Sequence, residues 1–223
     1  LAKGIESLCK GNKVTIIKGN ASFENSSRIK ITSEKNTSYI DFEKAIIATG
    51  SKPIELKTLK FDKKKIISSK DALSLEKIPK NMVIIGGGYI GLELGTVYSK
   101  LGSNVSIVEM QGQILPGSEK PIISLIEKNF SKRGVKIYLN AKAEKIEDVK
   151  IIINSKEKGI VKLDADKVMV AVGRVPNTKN LGIKNTKVRL DEKGFVRVDK
   201  NLLTSDKNIY VIGDVSDGPM LAH

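Results

Sequence analysis

A glycine-rich turn with a fixed spacing is the part of this sequence whose residues point most directly to chemistry. Gly86, Gly88 and Gly91 form the pattern G-x-G-x-x-G, and Glu109 follows eighteen residues after the last glycine. In a dinucleotide-binding unit the first glycine permits a tight turn and the second lets the backbone approach a pyrophosphate, while the third allows close packing of helix and strand. An acid at the later position accepts hydrogen bonds from the adenosine ribose. The spacing therefore predicts a dinucleotide site.

The segments around this turn have the patterns of the elements that must position it. Residues 82–85 are a short apolar run typical of a buried parallel strand. One apolar helix face is predicted at the positions i, i+4, i+7 and i+11, occupied by Ile90, Leu94, Val97 and Leu101. Gly102 stands where a helix C-cap is expected, and residues 105–108 form a second apolar run that ends on Glu109. This register favours a dinucleotide site over a glycine turn that serves packing alone.

The glutamate also predicts which dinucleotide is bound. A carboxylate at Glu109 would repel a 2′-phosphate, and residues 110–113 contain no arginine that could bind one. The sequence therefore predicts NAD(H) rather than NADP(H).

Composition limits the class of protein. The chain has 223 residues, of which 40% are hydrophobic and 29% charged, and no apolar run approaches the length of a membrane span. No signal peptide is evident, and the single cysteine, Cys9, suits a reducing compartment, so we expect a cytoplasmic protein. The net charge of +14 comes from lysines spread along the chain, and aromatic residues are few. A nucleic-acid partner is therefore not predicted, and neither is a membrane one.

The first third of the chain has its own predicted elements. A helix is expected over Leu1, Ile5 and Leu8 up to Gly11, followed by a strand at residues 14–17. Residues 28–32 and 37–42 are expected to pair through a turn at residues 33–36. Residues 44–50 predict a buried strand that runs into a turn of small residues, and a short helix is expected at residues 71–75.

Beyond Glu109 the pattern continues as an α/β fold. A second amphipathic helix is predicted with one apolar face made by Ile122, Leu125, Ile126 and Phe130. A parallel strand at 135–139, an antiparallel insertion at 143–163 and a buried strand at 168–172 are expected to follow. The last strand, at 209–212, leads into Gly213 and Asp214, and ligands bind at the carboxyl ends of such strands.

Four separated motifs together resemble one family. These are ATGS at 48–51, GGGYIGLELG at 86–95, VGRVPN at 172–177 and IGDVSDGPMLAH at 212–223. In this order and spacing the whole chain resembles flavoprotein disulfide reductases with two dinucleotide sites, the pyridine nucleotide-disulfide oxidoreductase family. The closing segment is most similar to the dihydrolipoamide dehydrogenases, the E3 components of 2-oxo acid dehydrogenase complexes.

The resemblance implies a Rossmann-like NAD-binding domain inserted in an FAD-binding domain of the same type. We expect residues 1–72 to belong to a partial FAD-binding domain, residues 73–177 to the NAD-binding domain, and residues 178–223 to the FAD-binding domain again. The NAD-binding domain would contain a parallel sheet with an antiparallel β insertion.

The resemblance also implies which residues hold each cofactor. For NAD the matching positions are Gly86, Gly87, Gly88, Tyr89, Ile90, Gly91, Leu92, Glu93, Glu109, Ala143 and Gly173. For FAD they are Ala21, Thr49, Gly50, Ser51, Asp214, Met220, Leu221, Ala222 and His223. No metal site is expected.

The implied reaction passes electrons from dihydrolipoamide through a cysteine pair to FAD and then to NAD⁺. The implied partners are the lipoyl domains of 2-oxo acid dehydrogenase complexes and a second subunit in a homodimer. Neither Cys9 nor His223 is expected to be catalytic, so no catalytic residue is predicted in this chain. We expect the chain to be a central fragment of such an enzyme and to be inactive alone.

Two other interpretations stay open at this stage. One is a sister flavoenzyme, such as an NADH oxidase, a coenzyme A-disulfide reductase or a mercuric reductase. The other is a module that binds NAD without catalysis.

Overall fold

The structure is a computed structural model that describes residues 2–218 and 220. It divides into two units along the chain. The central unit comprises residues 52–174, and the discontinuous unit comprises residues 1–51 and 175–223.

The chain contains both strands and helices. The first part of the chain forms α1 (Ala2–Gly11), β1 (Asn20–Asn25), β2 (Arg28–Thr32), β3 (Thr37–Asp41), β4 (Ala45–Ile47), β5 (Ser51–Pro53), β6 (Ile66–Ser68), α2 (Ser69–Ala72), β7 (Asn81–Ile85) and α3 (Tyr89–Lys100). The rest forms β8 (Asn104–Val108), α4 (Lys120–Lys132), β9 (Lys136–Tyr138), β10 (Ala141–Glu147), β11 (Lys150–Ser155), β12 (Gly159–Asp164), β13 (Lys167–Val170), β14 (Arg174–Pro176), a 3₁₀ turn at Ile183–Asn185 and β15 (Ile209–Val211). Strands and helices alternate from β6 to β9.

The central unit is built on a five-stranded sheet with the order β6-β13-β7-β8-β9. Every neighbouring pair of these strands is parallel. The strand order reverses beside β7, because β8 and β9 lie on one side of it and β13 and β6 on the other. In open α/β sheets ligands bind at such a reversal, outside the carboxyl ends of the strands. The predicted parallel sheet is therefore confirmed, and the edge at which ligands bind in such sheets lies where β7 ends.

The antiparallel insertion is also confirmed. Strands β10, β11 and β12 form a separate three-stranded sheet, and both of its pairs are antiparallel. Its inner face packs in one cluster with Val83, Val108 and Val168 of the parallel strands.

Helix α3 is confirmed, but its predicted inward face is wrong in part. Leu94 is buried as expected, whereas Val97 and Leu101 are about half exposed. The buried side is made by Gly91, Leu92, Gly95 and Tyr98 instead. A Cβ on Gly95 would lie 3.3 Å from Ile84 Cδ1, so this glycine lets the helix approach the sheet closely. Hydrophobic periodicity missed this because glycine carries no apolar signal.

Helix α4 shows the same kind of difference. Phe130 is buried as predicted and Ile126 is partly buried, but Ile122 and Leu125 are exposed. Ile123 is the residue that enters the core near the start of the helix. The helix is therefore rotated relative to the face that the sequence predicts.

Two segments of the first eighty residues differ from their predictions. Residues 14–17 join no described strand, and Val14, Ile16 and Ile17 are at least half exposed. A strand needs a partner to satisfy its backbone, and the described chain supplies none here. Conversely β6 was missed, because its three residues lie in a lysine-rich stretch that resembles a linker.

The position of β6 explains where the units divide. The chain passes between them after Ser51 and after Arg174, whereas the predicted domain boundaries follow residues 72 and 177. Strand β6 pairs with β13, so residues 52–72 belong to the central unit by contact. The assignment of one cofactor to each domain stays a prediction.

The discontinuous unit has a smaller core. Strands β1, β2 and β3 form an antiparallel meander, which confirms the predicted hairpin at residues 33–36. Strand β15 pairs in parallel with β4, so both carboxyl ends reach the same edge. The core around them contains Phe23, Ile47, Val188, Val196, Ile209, Val211 and Val215.

Asp206 is a buried carboxylate, only 2% exposed, that holds this unit together. It accepts a hydrogen bond from the Ser26 hydroxyl and others from the Lys187 and Asn208 N–H groups, at 3.1 and 3.3 Å. Burial acts to raise the pKa of Asp206, but these hydrogen bonds outweigh it, so the pKa lies below its usual value. The folded state therefore favours the ionised form.

We expect Asp206→Ala to lower the free energy of unfolding at pH 7 by about 2–4 kcal/mol, because three donors lose their acceptor. A folded-state pKa below the unfolded value gives stability that is present above about pH 4 and lost as pH falls through the folded pKa. Urea unfolding between pH 7 and pH 2 should show a shallower acid loss in the variant. Asp199→Ala, which removes a similar turn acceptor at an exposed site, is the control and should cost much less.

Candidate dinucleotide-binding sites

Gly86 directly follows β7 at the reversal of strand order. Its φ of 109° belongs to a region that favours glycine, and its N–H donates to the Val108 carbonyl at 2.8 Å. A Cβ at this position would collide with the Ala171 carbonyl oxygen beyond the end of β13. The first glycine of the motif is therefore required by the close approach of three chain segments.

Gly88 and Gly91 have different surroundings although both belong to the motif. A Cβ on Gly91 would collide with the Gly86 carbonyl oxygen and lie 3.3 Å from Ile84 Cγ2. A Cβ on Gly88 would meet no described atom within 4 Å. Packing therefore explains the glycine at position 91, whereas the glycine at position 88 leaves open space in front of the helix.

The open space lies at the start of α3. Gly88 is the N-cap residue in extended conformation, and among the described residues no side chain caps the helix. An uncapped helix N-terminus presents backbone N–H donors and the positive end of the helix dipole. Such an end, with room in front of it, fits a pyrophosphate.

Glu109 follows β8 and is only 8% exposed. Its Oε2 accepts a hydrogen bond from the Gly87 N–H at 2.6 Å, and its Oε1 accepts one from the Gln111 N–H at 2.8 Å. A carboxylate oxygen can accept a second hydrogen bond, so both oxygens retain capacity for ribose hydroxyls. Glu109 thus fits the predicted ribose acceptor and also holds the glycine turn.

The other predicted NAD residues divide into exposed and buried ones. Tyr89 and Glu93 are exposed at the start of α3, whereas Leu92 is buried in the core and Ile90 is partly buried against it. Ala143 is buried in β10 in the cluster that contains Val108. Gly173 is exposed beyond β13 with a φ of 125°.

Four of the predicted FAD residues meet at the turn of residues 49–51, namely Thr49, Gly50, Ser51 and Asp214. The Ser51 hydroxyl donates to Asp214 Oδ2 at 2.8 Å, which joins two motifs that are far apart in sequence. Asn177 holds the same turn, because its N–H donates to the Gly50 carbonyl and its Nδ2 to the Thr49 carbonyl, both at 2.9 Å. The Thr49 hydroxyl donates in return to the Asn177 carbonyl at 3.0 Å.

A small apolar cavity connects two of the FAD positions. Ala21 and Thr49 both line it, together with Phe23, Ile29 and Ile47, and its volume is about 110 Å³. Met220 is partly buried, whereas Leu221, Ala222 and His223 lie outside the described residues.

Some residues of the two sites had no role assigned from the sequence. Asn177 stands in the VGRVPN motif, whose asparagine has no role predicted from the sequence. Ile114 and Leu115 follow Glu109 in a loop that contacts Gly87, and only their apolar character within a turn-rich segment could have indicated them.

No helix among the described residues has the length and apolar character needed to cross a membrane.

Comparisons with known proteins agree with this geometry. A family model described as pyridine nucleotide-disulphide oxidoreductase matches residues 1–223. The chain is 43% identical over 226 residues to dihydrolipoyl dehydrogenase of Geobacillus stearothermophilus. It is also 43% identical over 230 residues to dihydrolipoyl dehydrogenase of Bacillus subtilis. Each match covers 100% of this chain and 48% of the relative, so the chain spans about half the length of these curated relatives.

Solved structures give the same result. The HOCl-induced flavoprotein disulfide reductase RclA from Escherichia coli matches with a TM-score of 0.88 and 29% identity, over 99% of this chain and 50% of that one. LpdA from Mycobacterium tuberculosis matches with a TM-score of 0.86 and 25% identity, over 96% of this chain and 48% of that one. The chain belongs to the pyridine nucleotide-disulphide oxidoreductase family.

Proposed function

We propose that this chain is the nucleotide-binding part of a flavoprotein that oxidises dihydrolipoamide and passes the electrons through a disulfide and FAD to NAD⁺. The names of the relatives at 43% identity support the substrate. The partners on this proposal are lipoyl domains of 2-oxo acid dehydrogenase complexes and a second subunit in a homodimer.

The observation that carries the NAD part of the proposal is the combination at the end of β7. Open space in front of an uncapped helix start and a buried carboxylate after the next strand occur together, at the reversal of strand order. In this arrangement the backbone at 86–91 binds the pyrophosphate and Glu109 binds the adenosine ribose. The exposed Tyr89, Glu93 and Gly173 are proposed to lie along the nicotinamide half, and Ala143 is proposed to line the adenine end.

The FAD part is supported by the discontinuous unit. The turn at 49–51 is fixed by Asn177 and Asp214, and Ala21 shares a cavity with Thr49. We assign Asp214 to the ribityl hydroxyls, and the remaining positions to backbone contacts. Bound flavin and nicotinamide supply the redox chemistry, and this chain supplies binding and orientation.

We expect the 223-residue chain alone to show no NADH-dependent reduction of lipoamide. An internal dithiol–disulfide pair needs two cysteines within about 7 Å of each other, and the chain has only Cys9. The purified chain should bind NADH, retain FAD poorly and give no turnover above a blank without protein.

The measurements are NADH fluorescence titration, the flavin absorbance of the purified chain and an NADH–lipoamide assay with added FAD. NADH binding without turnover supports the proposal. Turnover by the chain alone would contradict the prediction that it contains no catalytic residue. Failure to bind NADH would contradict the proposal that the central unit holds the NAD site.

A sister disulfide reductase is the second candidate, because RclA is among the structural matches. Full-length protein assayed with dihydrolipoamide and with other disulfide substrates would separate the two. A module that binds NAD without catalysis would bind NADH and act on none of them.

A further inference from the structure

A loop beyond the ribose-binding strand contacts the glycine turn directly. The latch loop, residues 111–118, begins two residues after Glu109 and returns toward β7. The Leu115 N–H donates to the Gly87 carbonyl at 2.8 Å, and the Ser118 N–H donates to the Leu115 carbonyl at 2.9 Å. The loop is thus closed on itself and attached to the dinucleotide turn.

Gly87 is held from three sides. Its N–H is bound by Glu109 Oε2 at 2.6 Å, and its carbonyl is bound by Leu115. Ile114 Cγ2 lies 3.1 Å from the place where a Cβ of Gly87 would be, so this side chain packs against the Gly87 backbone. These contacts fix the peptide planes on either side of Gly87, and the following plane leads into Gly88.

Leu115 keeps its contact in an unfavourable backbone conformation. Its φ is 45°, in the left-handed region where residues other than glycine are uncommon. Its N–H points at Gly87 in this conformation, so the conformation and the hydrogen bond depend on each other. Strained residues persist where surrounding contacts over-determine them, and they concentrate at binding sites.

We propose that the latch loop is a positioning element for the dinucleotide, which acts by holding Gly87 so that the turn at 86–88 is preorganised for the pyrophosphate. This proposal rests on the proposed NAD site. Ile114 is fully buried, at 0% exposure, so its side chain acts through Gly87 and not by touching the cofactor. Preorganisation raises affinity because less freedom is lost on binding.

The sharpest test replaces Leu115 with its isomer isoleucine, which has the same atoms but a different shape. Leu115→Ile keeps the volume and the apolar character but places a branch at Cβ, which disfavours a positive φ more strongly. The segment should leave the left-handed conformation and lose the bond to Gly87. We expect the Kd of the chain for NADH to rise by about tenfold.

Leu115→Gly is the matched opposite. Glycine adopts this φ without strain and keeps the N–H donor, so the Kd for NADH should rise clearly less than in Leu115→Ile, although apolar packing is lost and backbone freedom is gained. Leu202, in the discontinuous unit, also has a positive φ, 61°. Leu202→Ile introduces the same kind of strain away from the central unit and should not change the Kd.

A second pair separates positioning from core stability. Ile114→Ala and Ile123→Ala both remove a buried isoleucine from the same cluster, so both should lower the melting temperature. Only Ile114→Ala should weaken NADH binding, by about tenfold, when measured well below both melting temperatures.

Equal NADH affinity for Leu115→Ile, Leu115→Gly and the wild type would overturn the positioning role, as would equal effects of the two alanine variants. A wild-type chain that binds no NADH would instead contradict the proposed function itself. The two failures are therefore distinguishable in one set of titrations.

Discussion

Gly88→Ala is expected to leave the chain folded and to raise its Kd for NADH by about 100-fold or more. The added methyl group would occupy the open space at the start of α3, where the proposed pyrophosphate accepts backbone hydrogen bonds. Losing two hydrogen bonds to a charged group costs about 3 kcal/mol, which corresponds to the stated change in affinity.

The fold should tolerate this substitution. Gly88 has a φ of −77°, which alanine adopts readily, and no described atom lies within 4 Å of the new Cβ. Alanine is a poor N-cap residue, so the free energy of unfolding should change by about 1 kcal/mol or less. Far-UV circular dichroism and thermal unfolding would measure this, beside the NADH titration.

Two other glycines are controls for this experiment. Gly91→Ala would collide with the Gly86 carbonyl, so we expect a loss of about 3 kcal/mol of stability together with the loss of binding. Gly4→Ala adds a methyl group to exposed helix α1 with open space around it, and should leave the Kd for NADH unchanged. If Gly88→Ala kept wild-type affinity, the pyrophosphate could not lie in front of α3.

The sequence predicted the parts of this fold that depend on local pattern. The apolar runs became β7, β8 and β13, and the glycine spacing correctly marked the turn between β7 and α3. Local pattern could not predict which face of α3 is buried, because Gly91 and Gly95 determine how closely the helix approaches the sheet. It also missed β6, since three residues in a lysine-rich segment carry too little signal.

In the candidate sites, too, the sequence predicted residue identities but not the contacts between distant segments. The sequence named Glu109 as a ribose acceptor but could not show that its carboxylate also binds the Gly87 N–H. It noted the motif that contains Asn177, yet the exchange of hydrogen bonds with Thr49 joins segments 128 residues apart. Such contacts depend on how distant strands are brought together, and periodicity carries no information about that.

The preference for NADH over NADPH is expected to depend on Glu109. The buried carboxylate at the ribose position should make NADPH bind at least about 100-fold more weakly than NADH, because a 2′-phosphate would be brought against a negative charge of low exposure. Glu109→Gln removes the charge but keeps an oxygen acceptor. We expect the ratio of the two Kd values to fall to about tenfold or less.

The absolute affinity for NADH should also fall in Glu109→Gln, since the side chain holds the Gly87 and Gln111 N–H groups as well as the ribose. The ratio of the two Kd values isolates the charge effect, because NADH and NADPH share the pyrophosphate and so lose the support of Gly87 equally. Glu127→Gln, on α4, removes a charge elsewhere in the central unit and should change neither quantity. A selectivity ratio that stays at its wild-type value in Glu109→Gln would show that another group rejects the 2′-phosphate. If the affinity for both dinucleotides falls at that unchanged ratio, Glu109 keeps only its role in holding the glycine turn.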